Sequence, residues 1–95
     1  MRYFFNQMDG EVKHDDEGVD LDSFGEARLE AVRYAASVLR DHPTLVWTGQ
    51  DFRVEVTDIN KLILFTVIVV GVDAPAAKNL SASILPPDKA PGNVP

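Results

Sequence analysis

The 95-residue sequence predicts an α+β domain: an antiparallel four-stranded sheet with one helix packed on one face, in the order ββαββ. Three observations carry that expectation. An aromatic-rich segment, residues 2–8, runs into Asp9-Gly10, a dipeptide suited to a tight hairpin turn. Residues 23–40 repeat their apolar side chains with a helical period. Residues 52–57 then alternate strictly, and residues 62–70 follow as a run rich in β-branched side chains.

In the first hairpin a two-residue loop would pair Met8 with Glu11 and Gln7 with Val12. Tyr3, Phe5 and Val12 would then share one face, and Phe4, Met8 and Lys13 the other. Residues 15–22 form an acidic loop that leads into the helix. Ser23 and Glu26 make the S-x-x-E capping box, in which each side chain satisfies a free N–H of the first turn. At 100° per residue, Phe24, Ala27, Ala31, Val32, Tyr34, Ala35, Val38 and Leu39 lie on one arc, against Glu26, Glu30, Arg33, Ser37 and Arg40 opposite. The alanines let the helix sit close to a sheet, Arg28 snorkels out of the arc, and His42-Pro43 ends the helix.

The second hairpin turns at residues 58–61, with Asn60 best suited to a left-handed conformation. A two- or four-residue loop sets Ile63, Phe65 and Val67 across from Val56, Val54 and Phe52, an apolar face for the helix. The other face then carries Leu62, Leu64, Ile68 and Val70 opposite Thr57, Glu55 and Arg53, extended across the sheet by Phe4 and Met8. One helix covers one face of a sheet. These six apolar side chains therefore form the candidate partner surface.

Length and composition place the folded domain at residues 1–73. Residues 74–95 hold five of the six prolines and no hydrophobic period, which reads as a flexible tail. With no cysteine, neither disulfides nor thiolate metal ligands staple so small a core. The net charge of −6 argues against nucleic acid and against an anionic membrane surface as partners. The longest apolar run, residues 62–72, is too short to span a bilayer, and residues 1–7 lack an export-signal pattern, so a cytoplasmic location is expected.

Arg2-Tyr3-Phe4-Phe5, then Asp9-Gly10, Asp15-x-x-Gly18-x-x-Leu21, an Ala-rich helix and Val54-x-Val56-x-Asp58 before an apolar strand together resemble a family of short bacterial proteins known as a domain of unknown function. The resemblance covers residues 2–67. It implies the fold above and brings no activity, cofactor or catalytic residue. The chain departs from the family pattern at Lys61, where the second turn usually has glycine, and in a strand and tail that run on past residue 69. Hairpin followed by amphipathic helix is also similar, in element order alone, to small antitoxins that pair with an RNA-cleaving toxin.

No catalytic, cofactor-binding or metal-binding constellation stands out. His14 beside Asp15, Asp16 and Glu17 has the chemistry of a general base or metal ligand, yet nothing else converges on it and a solvated histidine is the simpler reading. Seven of the 15 acids fall between Asp9 and Asp22, but the spacing does not match a calcium loop. The expected function is accordingly a protein–protein interaction module, homodimeric through the second sheet face. The alternatives are an antitoxin-like or acidic regulatory protein that binds a basic partner, and a metal binder or enzyme centred on His14.

Overall fold

A computed structural model of the protein describes residues 1–48, 51–77 and 80. Five strands and one long helix make an α+β fold: β1 (Arg2–Met8), β2 (Val12–Lys13), β3 (Val19–Asp20), α1 (Phe24–Asp41), β4 (Phe52–Thr57) and β5 (Ile63–Val69). The sheet runs β2-β1-β4-β5, all neighbours antiparallel, and the short β3 pairs with the other end of β1 on the same side as β2. The acidic loop thus contributes a fifth strand beyond the four expected. Of the expected tail, residues 78–79 and 81–95 lie outside the described residues.

Helix α1 starts as its sequence dictates. Ser23 Oγ accepts the N–H of Glu26 at 3.1 Å, and Glu26 Oε1 reaches back to the N–H of Asp22 at 3.1 Å, one residue earlier than a standard capping box. Ala27, Ala31 and Ala35 are buried, and their small side chains let α1 settle onto Tyr3, Phe5, Phe52, Val54 and Val56 of the sheet. Because the contact is made by alanines, the buried stripe is narrower than the periodicity suggests. Tyr34, Val38 and Leu39 pack at its margin, whereas Val32 is exposed. Phe24 reaches down to Phe65 edge-to-face with ring centroids 5.3 Å apart, and the Arg28 guanidinium lies 5.9 Å from the Phe24 centroid.

Both hairpin registers differ from the sequence expectation, and a turn side chain explains each. In the first, Met8 pairs with Val12 and Gln7 with Lys13, leaving a three-residue loop at 9–11. The Asp9 carboxylate accepts Glu11 N–H at 3.3 Å and Gln7 Nε2–H at 2.7 Å, and Gly10 takes φ 101°. That single extra residue moves Val12 to the face away from the helix and Lys13 to the helix side.

In the second hairpin Asp58 Oδ1 accepts the N–H groups of Asn60 and Leu62 at 2.8 and 3.0 Å, which holds a five-residue turn over 58–62. Lys61, not Asn60, is the left-handed residue, at φ 69°. Val56, Val54 and Phe52 pair with Phe65, Val67 and Val69, two residues further along β5 than expected. The helix-facing side stays apolar because the shift is even. A register irregularity sets Ile63 opposite Thr57 and leaves Leu64 between the pairs.

After α1 the chain makes a 3₁₀ turn over Pro43–Val46 and places Trp47 against the far end of β5. The six-membered ring of Trp47 occupies the space where a Cβ on residue 71 would stand, so Gly71 is required by close approach.

Lys61 is the point where local geometry and residue type disagree, since a β-carbon in the left-handed region costs on the order of 1 kcal/mol. Lys61→Gly is expected to raise unfolding stability by about 0.5–1 kcal/mol in urea titrations, while Lys61→Val lowers it by at least as much.

Candidate interaction surface

The chemistry-bearing residues of the first 22 positions serve one another. Residue 5 of β1 falls between the short reach of β2 and that of β3, so its outward N–H has no strand to donate to. Asp15 fills that place: its Oδ2 accepts Phe5 N–H at 3.1 Å, and its Oδ1 accepts the N–H groups of Glu17 and Gly18 at 3.0 Å each. Asn6, buried, ties the same loop to the sheet interior. Its Oδ1 accepts Asp15 N–H at 2.9 Å, and its Nδ2 donates to the Glu55 carbonyl of β4 at 3.2 Å. Gly18, at φ 73°, lets the Phe4 ring and the Arg2 stem lie against the loop backbone. The Asp15-x-x-Gly18 spacing is therefore a structural staple.

Burial alone would push the Asp15 carboxyl up. The hydrogen bonds from Gly18, Phe5 and Glu17, together with the Arg2 charge, outweigh it and hold the group below its usual value of 3.8. Tyr34, whose hydroxyl donates to Gln7 Oε1 at 3.3 Å, is pushed the other way by burial and by the charges of Asp15 and Asp9. His14 is exposed at the mouth of an open groove of about 380 Å³ between the acidic loop and the second turn, with Asn6, Asp16, Glu55, Asp58 and Lys61 around it. Asp15 and Asp58 there are committed to backbone N–H groups, and Glu55 is paired with Arg53 at 3.1 Å. Among the described residues no three His or acidic side chains are placed to hold a metal ion.

The sheet face away from α1 is mixed in character. Its centre is polar, with Asn6 on β1 opposite Glu55 on β4, and Glu55 opposite Thr66 on β5. Apolar side chains flank this stripe. Phe4 and Met8 are half-buried on β1 and pair with Thr57 and Arg53. On the β5 side Ile68 is 55% exposed and Val70 58% exposed.

Phe4, Met8 and Ile68 occupy the face expected of them, and Val70 follows directly after the end of β5. Leu62 is exposed but belongs to the turn, outside β5, and Leu64, at the register irregularity, is half-buried and packs against the core cluster. The residues that take their place are Ile63, 57% exposed opposite Thr57, and Val12, exposed opposite Met8. Both were missed because each depends on one residue of loop length, which strand periodicity does not specify.

A second set of exposed apolar side chains lies where the helix meets β5. Arg28, Leu29 and Val32 of α1 face Phe65, Thr66 and Val67 across an open groove of about 800 Å³. Leu29 and Val32 are 58% and 53% exposed. The outer edge of β5 is thus bordered by aliphatic side chains above and below the sheet.

The chain matches, over residues 2–70, the family described as Domain of unknown function (DUF6894), so the likeness read from the Arg2-Tyr3-Phe4-Phe5 and Asp15-x-x-Gly18 motifs holds. Neither a curated protein nor a solved structure matches it. Among the described residues no helix is long and apolar enough to cross a membrane.

The depressed Asp15 carboxyl fixes the sign of a pH effect. A folded-state value below the unfolded one contributes stability above the unfolded value near 3.8, and that contribution is lost as pH falls through the lower folded value. Asp15→Ala is expected to cost about 2 kcal/mol at pH 7, taking charged hydrogen bonds discounted for solvent screening. The gap between wild type and variant should narrow as pH falls below the usual carboxylate value of 3.8, as read by thermal or urea unfolding across a pH series.

Proposed function

The chain belongs to the DUF6894 family, whose description assigns no activity, and from its surface we propose that it is a protein–protein interaction module that associates with a second copy of itself through the sheet face away from α1. The observation that carries this reading is the exposure of Ile63, Ile68 and Val70 along one margin of a sheet whose one long helix among the described residues lies on the other side.

Soluble monomers rarely leave contiguous apolar patches beyond a few hundred Å². The domain is also small, and the largest side chains fully buried in it are Phe52, Val54 and Val56. A core of this kind gives only a few kcal/mol of net stability, so burying the β5 margin against a partner raises stability as well as solubility. The Asp9–Asp22 segment supports the acidic-regulator reading less well. Asp9 and Asp15 are engaged by main-chain N–H groups, Asp20 by Arg2, and Glu26 by the N–H of Asp22, so these acids hold the loop and helix start together.

Size exclusion with light scattering tests the proposal directly: a dimer is expected at about 100 μM, and a strict monomer there contradicts it. Ile68→Lys is expected to give a folded, soluble monomer by the same measurement with unchanged far-ultraviolet circular dichroism, because residue 68 is exposed in the single chain.

A further inference from the structure

The two edges of the sheet are treated in opposite ways. The outer side of β1 is closed along its length: β3 pairs at Arg2 and Tyr3, the Asp15 carboxylate takes the N–H of Phe5, and β2 pairs at Gln7 and Met8. Among the described residues nothing pairs with the outer side of β5. Natural edge strands are protected by lysine, proline, an inward charge, a bulge or short length. Strand β5 is seven residues long, Ile-Leu-Phe-Thr-Val-Ile-Val, with no charge and no proline, and its irregularity lies at its first end only.

We propose that the open edge of β5 is the seam of the homodimer: β5 pairs antiparallel with β5 of a second copy, joining the two sheets into one, with α1 of each copy on the same side. The proposal rests on the self-association reading above and moves its contact from the flat of the second face to the β5 margin. A two-fold axis perpendicular to the sheet sets β5 against its own reversed sequence, so aliphatic and aromatic residues meet aliphatic and aromatic ones, and no like charges oppose. The same axis brings Leu29 and Val32 of the two helices toward each other across the groove above the seam, and gives Ile63, Ile68 and Val70 cross-strand neighbours below it.

The area is adequate. Phe24, Leu29, Val32, Ile63, Ile68 and Val70, each about half exposed, offer roughly 400 Å² of apolar surface per copy at the side-chain areas that underlie transfer energies. A standard interface contributes about 800 Å² per partner, of which a little over half is apolar. A second copy fits the seam better than an unrelated strand, because it supplies the two flanking aliphatic rows together with the backbone.

The decisive comparison places a charge on each side of the sheet in the full chain and reads dimer dissociation by sedimentation, with circular dichroism to confirm folding. Val32→Glu is expected to weaken the dimer at least tenfold. Met8→Lys, two strands away from the seam on the other face, is expected to change it less than twofold, with Val12→Lys substituting should Met8→Lys unfold. Hydrogen exchange at β5 amides should quicken on dilution of the wild type from about 100 to 1 μM.

A wild-type monomer removes the self-association reading and this inference with it. A dimer weakened by Met8→Lys or Val12→Lys but not by Val32→Glu keeps self-association and overturns edge pairing, since it places the contact on the flat of the second face. A dimer weakened equally by Val32→Glu and by Met8→Lys or Val12→Lys, or by none of them, also overturns edge pairing, as does β5 exchange that ignores dilution.

Discussion

The fold depends on a carboxylate that does the work of a missing strand. Between β2 and β3 the outer edge of the central strand β1 is unpaired over residues 4–6, and Asp15 supplies an acceptor for the Phe5 N–H there while closing its own loop on Glu17 and Gly18 N–H groups. Asn6 completes the connection from beneath, linking the loop main chain to the β4 carbonyl at Glu55. Unsatisfied main-chain donors are costly when shielded from water, and polar groups of this sort are stabilising only as a complete set. The set here is complete: among the described residues no buried side-chain nitrogen or oxygen lacks a partner. A stretch that looks in composition like a solvated acidic run is in this way a structural part of the sheet.

How much of this was legible follows from the kind of interaction involved. The helix, its Ser23 cap and the two main strands were legible because periodicity and capping are local, set by residues within one or two turns of each other. The loop lengths were not. Asp9 and Asp58 each draw downstream N–H groups onto a side-chain oxygen, Glu11 in one case and Asn60 with Leu62 in the other, and each lengthens its turn by at least one residue. An odd slip in the first hairpin exchanged the faces of Val12 and Lys13. An even shift in the second preserved the apolar helix side, yet the irregularity beside it exchanged the roles of Ile63 and Leu64. The family likeness held a clue to that turn: Lys61, standing where glycine is usual, is the residue with positive φ.

The candidate surface was half legible for the same reason. An even shift leaves the side of Ile68 unchanged, so it lies on the face away from the helix even though the register differs from the expectation. Leu29 lies off the apolar arc and is exposed accordingly, but the exposure of Val32, which the arc includes, could not be read there, because it follows from how the alanines seat α1 on the sheet. A helix seated on Ala27, Ala31 and Ala35 lies low, and Val32, about 100° round the helix from Ala31, then clears the sheet instead of packing on it.

That low seat links the core to the surface. Larger residues at 27, 31 and 35 would lift the helix and widen its buried stripe, but they would also fill the layer that Phe52, Val54 and Val56 now share with the alanines. With alanine in place the core is thin and the aliphatic rows beside β5 remain in solvent. A second copy on the β5 edge would bury both rows at once without altering the interior, and would add main-chain hydrogen bonds that the isolated strand must leave to water. The closed β1 edge and the open β5 edge are then two answers to one problem: the first is met within the chain by Asp15, and the second, on the proposed pairing, would be met by a neighbour.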